Sequence, residues 1–283
     1  MKTLRFYKMH SLGNDFMIVD GVSRAFAVDT QDIASWSDRN RGVGFDQLLV
    51  IEPPTVPEAD FFYRIYNADG SEAEQCGNGT RCVATLAKLL RLSPKEELTW
   101  QSLAGDFTTQ LLGDQVTTEM TVPTLDHENI PFDASAATYH DDHRYVMTDN
   151  DIDYAFTPVS MGNPHAVIFM DSIFDLDVPG IGARLTQHAS FPNHANIGFC
   201  QVMDSGFMRL RVYERGTGET QACGSGACAA VVAARLNGLA GQRVKVSLPG
   251  GKLKITWPGE GERVSMTGPS SLSYKGEITL NEI

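Results

Sequence analysis

Two kinds of hydrophobic pattern alternate along the chain. The segments "MIVD" (17–20), "QLLVI" (47–51), "FFYRIY" (61–66), "AVIFM" (166–170), "FMRLRVY" (207–213) and "VKVSL" (244–248) are short and rich in β-branched and aromatic residues, and they predict strands. Two longer apolar runs, "TRCVATLAKLLRL" (80–92) and "ACAAVVAARLNG" (227–238), each follow a Cys-Gly-x-Gly and predict helices of about three turns. Gly238 supplies a C-terminal stop for the second. Both runs are apolar nearly all round, as in a helix that sheet encloses. Cys82 and Cys228 lie inside them and read as small buried hydrophobes. The expectation is an α+β protein of two similar lobes, each wrapping strands around one central helix.

Internal repetition supports the two lobes. "SLGNDFMIVD" (11–20) resembles "SMGNPHAVIFMD" (160–171), and "VGFDQLLV" (43–50) resembles "IGFCQVMD" (197–204) through Gly-Phe-x-Gln. "NADGSEAEQCGNGTRC" (67–82) matches "ERGTGETQACGSGAC" (214–228) at an offset of 147, pairing Tyr66 with Tyr213, Glu72 with Glu219, and Cys76 with Cys223. "GDFTTQLLGDQVTTEMTVP" (105–123) resembles "GKLKITWPGEGERVSMTGP" (251–269) at an offset of 146. Four anchors in one order, with offsets from 146 to 154, indicate homologous halves.

Composition narrows the function class. A formal charge of −12 over 283 residues argues against a phosphate-tracking surface, so nucleic acid is not an expected partner. No run approaches membrane-spanning length, and "MKTLRFYKMHSLGNDF" has no apolar signal segment. Five cysteines are too few and odd in number for a disulfide scaffold, which fits free thiols in a reducing cytoplasm.

The chemistry then centres on Cys76 and Cys223, each at an expected helix start. Such a thiol meets unpaired backbone N–H groups and the positive end of the helix dipole, which favour thiolate and are expected to lower its pKa below ~8.5. The same N–H groups can hold a carboxylate. Two such thiols in homologous lobes, facing across a cleft, suit inversion of a stereocentre. One removes an α-proton while the other delivers one to the opposite face. Neither spacing fits a zinc site, and no redox Cys-x-x-Cys is present. "HDDH" (140–143) lies outside the repeated anchors and reads as a solvated loop.

The motifs "GNDF" (13–16), "FDQ" (45–47), "GNPH" (162–165) and the two long cysteine segments resemble those of the diaminopimelate epimerase family almost from end to end. The resemblance implies two pseudo-symmetric lobes, each a strongly curved, mainly antiparallel sheet around a central helix. The lobes would be residues 1–122 with 269–283, carrying Cys76, and 123–268, carrying Cys223. It implies interconversion of LL- and meso-diaminopimelate with no cofactor and no metal, Cys76 donating and Cys223 accepting the proton in the LL-to-meso direction.

It further implies that Asn14 and Gln47 line the site, and that Gly77 with Asn78, and Gly224 with Ser225, bind the reacting carboxylate. Asn67, Asn163, Asn196 and Arg215 would grip the distal end of the substrate, a guanidinium fork suiting a carboxylate. Glu214 and His165 would lie close to the reacting centre, and Tyr274 would serve a homodimer. Read singly, an Asn after Gly also makes a turn, Glu214 beside Arg215 also reads as a surface pair, and His165 as a satisfied histidine. The rivals are a proline or hydroxyproline racemase, a phenazine-type isomerase without paired thiols, and an amino-acid-binding protein with structural thiols.

Overall fold

The computed structural model describes residues 2–26, 29–74, 76–141 and 143–280. The chain divides into two compact units, residues 1–118 with 268–283, and residues 119–267. In chain order the first carries β1 (Lys2–Ser11), β2 (Asn14–Asp20), α1 (Thr30–Ser37), β3 (Gln47–Glu52), β4 (Phe61–Asn67), β5 (Glu72–Ala73), α2 (Gly77–Leu89), β6 (Glu97–Gln101), β7 (Phe107–Leu112) and β8 (Gln115–Glu119). The second carries β9 (Thr138–Asp141), β10 (Arg144–Asp149), β11 (Ile152–Ser160), β12 (Pro164–Phe169), α3 (Val178–Leu185), β13 (Asn196–Asp204), β14 (Phe207–Glu214), β15 (Gly218–Glu219), α4 (Gly224–Leu236), β16 (Arg243–Leu248), β17 (Gly251–Thr256) and β18 (Ser265–Pro269). The last strand, β19 (Ser271–Leu280), returns to pair with β1 in the first unit.

Strand pairing shows the duplication directly. In the first unit β1–β2 is antiparallel, β2–β3 parallel, β3–β4 and β4–β5 antiparallel, β4–β6 parallel and β6–β7 antiparallel. The second unit repeats that sequence of directions in β11–β12, β12–β13, β13–β14, β14–β15, β14–β16 and β16–β17. The registers correct one anchor of the repeat. Leu48 pairs Tyr66 where Ile197 pairs Tyr213, and Phe16 pairs Gln47 where His165 pairs Asn196. The counterpart of Gln47 is therefore Asn196, and the Gly-Phe-x-Gln match was a chance similarity five residues out of register. Gln201 instead sits further along β13, donating to the Asp171 carbonyl.

The apolar runs are explained by burial on both faces. Phe16, Ile18, Leu49 and Ile51 pack with Cys82, Val83, Leu86 and Ala87 of α2, while Met17, Val19, Leu48 and Val50 pack with Ile33 of α1. A strand covered on both faces shows no polar alternation. In the second unit α4 is buried from Ala227 to Ala234, its alanines letting strands approach closely, and it lies against β11, β12, β13, β14 and β17. The outer side of that unit is closed by Val178 and Leu185 of α3 against Phe156, Ile168 and Phe199. The short helices α1 and α3 are additions to the expected single central helix per lobe.

The central helices end alike. Gly238 N–H donates to Arg235 O and Leu239 N–H to Ala234 O, with Gly238 at φ +68°. Arg91 N–H to Lys88 O and Leu92 N–H to Ala87 O repeat this two-bond stop, with Arg91 at φ +57°. The "HDDH" segment departs from the solvated loop: His140 and Asp141 end β9 and pair into a hairpin with β10, His143 turns at φ +70°, and Asp142 lies outside the described residues. Among the described residues, no helix is long and apolar enough to cross a membrane.

Candidate active site

Both thiols are helix N-caps. Cys76 (φ −145°, ψ 100°) and Cys223 (φ −115°, ψ 109°) hold extended backbone, and each Sγ accepts an N–H bond at 3.4 Å, from Gly79 and Gly226 respectively. The sulfur thus fills the role that serine or aspartate usually fills at this position. Gly79 is required by space: a Cβ there would meet Tyr63 Oη at 2.2 Å, and that hydroxyl donates to Cys76 O at 3.2 Å. The two-residue strands β5 and β15, which lead into the caps, are pinned by ion pairs at equivalent places. Arg64 bridges Glu72 at 2.6 Å and Arg211 bridges Glu219 at 2.7 Å.

Around Cys76 the structure gathers Asn14, Asn78 and Arg81. The thiol lies 3.9 Å from Asn14 Oδ1, which accepts from Asn78 Nδ2 at 3.2 Å, and Asn14 Nδ2 donates to Asp46 Oδ2 at 2.8 Å. Arg81 is fully buried and donates to Asn78 Oδ1 at 2.6 Å, to Ser11 Oγ at 2.7 Å and to Gly77 O at 3.3 Å. Gln47 and Asn67 are cross-strand neighbours joined by a 3.0 Å bond, with Asn67 also donating to Ser71 Oγ.

Around Cys223 the bonds form one series. Cys223 Sγ lies 3.6 Å from Ser225 Oγ, which accepts from Asn163 Nδ2 at 3.4 Å, and Asn163 Oδ1 lies 3.1 Å from His165 Nε2. Asn196 is the register partner of His165, donates to Pro164 O, and accepts from the Arg215 backbone N–H at 3.0 Å. The Arg215 side chain donates to Asn193 O, and Glu214 accepts from Thr220 Oγ1 at 2.5 Å. Tyr274 is exposed, with its hydroxyl on Val43 O and its ring edge-on to Phe6.

Electrostatics overturn the expectation of a depressed pKa at Cys223. Burial pushes this thiol well up, the Glu214 carboxylate pushes it further, and the bonds from Ser225 and Gly226 only partly oppose them. At 3% exposure, desolvation of a thiolate outweighs the helix terminus. His165, 1% exposed, is lowered to about 3 by burial and then by the nearby Arg215 charge, so its ring is neutral. Cys200 and Cys82 are also raised by burial, Cys200 to about 12, as inert core thiols are. All five cysteines are thiols, and among the described residues no group of three metal-ligating side chains is placed to hold an ion.

Several contributors escaped sequence reasoning: Ser11, Arg81, Thr220 and the Arg64–Glu72 and Arg211–Glu219 pairs. The arginines of those pairs stand 147 residues apart, like the cysteines, so the repeat itself carried a signal for them.

Comparison with known proteins follows the same lines. The chain resembles a solved hydroxyproline epimerase from Agrobacterium vitis (TM-score 0.69, 13% identity, 99% of this chain and 93% of that one). It also resembles a phenazine biosynthesis protein of the PhzF family from Bacillus anthracis (TM-score 0.65, 16% identity, 99% and 100%). At such identities these likenesses show the fold alone. At the sequence level it is 47% identical to the diaminopimelate epimerase of Ectopseudomonas mendocina (strain ymp) over 280 residues, covering 98% of this chain and 99% of that protein. The profile of the diaminopimelate epimerase family matches residues 6–125 and 157–273. By its profile and by a relative matched over nearly its whole length, the chain belongs to the diaminopimelate epimerase family.

Proposed function

We propose that the chain interconverts LL- and meso-diaminopimelate by a two-base reaction in which Cys76 and Cys223 are the bases. From the LL side, the Cys223 thiolate takes the α-proton and becomes a thiol, while the Cys76 thiol gives its proton to the opposite face of the carbon and becomes a thiolate. From the meso side the roles exchange. The observation that carries this reading is that both cysteines cap homologous helices through the same Sγ–N–H bond. Each thiol therefore stands beside first-turn N–H groups that a helix cannot pair internally. The N–H groups of Gly77 and Asn78, and of Gly224 and Ser225, hold the reacting carboxylate and stabilise the charge that develops as the proton leaves.

The distal end of the substrate is taken by Asn67, Asn163, Asn196 and Arg215, with Asn14 and Gln47 lining the site and Glu214 and His165 setting the polarity near Cys223. The neutral His165 imidazole suits a fixed hydrogen-bonding role better than proton storage. The enzyme is further proposed to act in the cytoplasm as a homodimer, with the exposed Tyr274 at the subunit contact.

The test is deuterium incorporation at the α-carbon of LL-diaminopimelate in D2O, with proline run in parallel. Cys76→Ser and Cys223→Ser are each expected to lose about 10²–10⁴-fold in epimerisation, the usual worth of a positioned acid or base. Thermal stability should be kept, because serine caps a helix as well as cysteine does. Full turnover by either variant, or faster exchange on proline, would refute the assignment.

A further inference from the structure

The two halves differ most sharply in the charge set beside each thiol. The fifth residue of α2 is Arg81, and the fifth residue of α4 is Cys228. Conversely, the last residue of β14 is Glu214, where β4 ends in Asn67. Helical side chains lean toward the N-terminus, so Arg81 reaches back over the first turn, where its guanidinium meets Gly77 O and Asn78 Oδ1. We infer that Arg81 is a positioning residue for Cys76: its buried positive charge holds that thiol toward thiolate, while Glu214 holds Cys223 toward thiol, so the two are unequal at rest.

Geometry supports the sign. The guanidinium is fully buried and fixed by three partners, so its charge is neither screened by water nor mobile. Across the five residues from Cys76 to Arg81, ~7 Å at about 1.5 Å each, and at an effective dielectric near 20, a unit charge shifts a neighbouring pKa by about one to two units. The opposing influences are the partial burial of Cys76 and the Asn14 carbonyl oxygen, which lies 3.9 Å from the sulfur, a long contact. Tyr63 from β4 and Cys82 from α2 also face Cys76, and Tyr7 of β1 lies in the same buried cluster. Asp15 of β2 is held by Lys8 of β1 and by Arg39, and Asp46 is held by Arg39 and by Asn14. Glu52 of β3 is held by Arg64, and β7 brings no ionisable side chain. Arg81 likewise opposes the rise in Tyr63 and Cys82, so its field extends over this region.

Arg81 also gives the amides their direction. A guanidinium only donates, so Asn78 must turn its oxygen to Arg81 and its nitrogen to Asn14. Asn14 then presents nitrogen to Asp46. The inferred resting pair, Cys76 thiolate with Cys223 thiol, is the one left after an LL-to-meso turnover and poised for the reverse.

The inference rests on the acid–base reading of Cys76, but iodoacetamide alkylation reports thiol ionisation without turnover, so the two can fail separately. Labelling rate against pH, located by peptide mass, is measured for Cys76 in Cys223→Ser protein and for Cys223 in Cys76→Ser protein. Cys76 is expected to ionise at least about one unit below Cys223, and Arg81→Gln to raise the Cys76 midpoint by about one to two units. Arg81→Lys, which keeps the charge, is expected to give less than half that rise. A role in folding alone would lower the melting temperature and leave the midpoint in place. Equal midpoints for the two thiols, or an unmoved Cys76 midpoint in a folded Arg81→Gln protein, would overturn the inference. The first comparison needs no Arg81 variant.

Discussion

Acidification should destabilise this protein through His165, and the size of the effect follows from its burial. The ring lies in β12 with 1% exposure, its Nε2 sits 3.1 Å from Asn163 Oδ1, and its pKa is lowered to about 3 by desolvation and then by Arg215. In the unfolded chain the imidazole returns to its ordinary value near ~6.5. Between these two values the unfolded state binds a proton that the native state refuses. The stabilisation is therefore fully present above pH ~6.5 and is lost as pH falls toward about 3. Over the 1.5 units from 6.5 to 5, at about 1.36 kcal/mol per unit, the loss is about 2 kcal/mol. Urea unfolding at pH 7.5 and pH 5.0, on the parent and on His165→Gln, isolates the term, since the other titrating groups are common to both. The parent should lose about 2 kcal/mol more than the variant. Equal losses would mean that the ring takes up its proton in the folded state, and the reasoning from burial would be wrong.

Two further outcomes test the architecture. Gly79→Ala should destabilise by about 1–3 kcal/mol in chemical denaturation, because the new methyl strikes the buried Tyr63 hydroxyl at 2.2 Å. In an open helix interior the same change would stabilise by about 0.5–1 kcal/mol, so the sign alone decides. Arg91→Gly should stabilise by about 0.5–1 kcal/mol, since a left-handed φ of +57° costs a side-chain-bearing residue about 1–2 kcal/mol and glycine returns part of that gain as entropy. No rise in melting temperature would place the strain elsewhere.

Much of the fold was legible because the chain states it twice. The helices following Cys76 and Cys223 were readable from a Gly-x-Gly start and a dense apolar run, and both begin one residue after the thiol. The helices α1 and α3 were not readable. The first buries only Ile33 among its eight residues, and the second interrupts its pattern with Pro179, Gly180 and Gly182. Gly-Phe-x-Gln misled for a physical reason. β3 and β13 are both buried apolar strands, and a local match between such strands does not fix register, whereas the pairing of Leu48 with Tyr66 and of Ile197 with Tyr213 does. At the site, motifs could nominate Asn14, Asn163 and His165 but could not show that Asn14 meets Cys76 or that Asn163 meets Ser225 beside Cys223, because those two contacts each bridge residues 62 positions apart. The depressed thiol pKa expected at Cys223 failed because sequence gives the helix terminus but not the depth of burial.

Duplication explains the shared scaffold, and divergence explains the chemistry. A perfectly repeated chain would give its two thiols identical surroundings and no reason to differ in proton affinity. Here the common parts are those that fix geometry: the sulfur caps, the Arg–Glu braces and the turns at Gly13 (φ +90°) and Gly162 (φ +92°). The parts that differ are those that carry or orient charge: Arg81 against Cys228, Asn67 against Glu214, and Phe16 against His165. A substitution at the shared positions should therefore disturb stability in either half, whereas one at the divergent positions should move the ionisation of a single thiol. In the proposed reaction one thiol enters each turnover as thiolate and the other as thiol, and the divergent charges are what would bias which of the two carries the proton at rest.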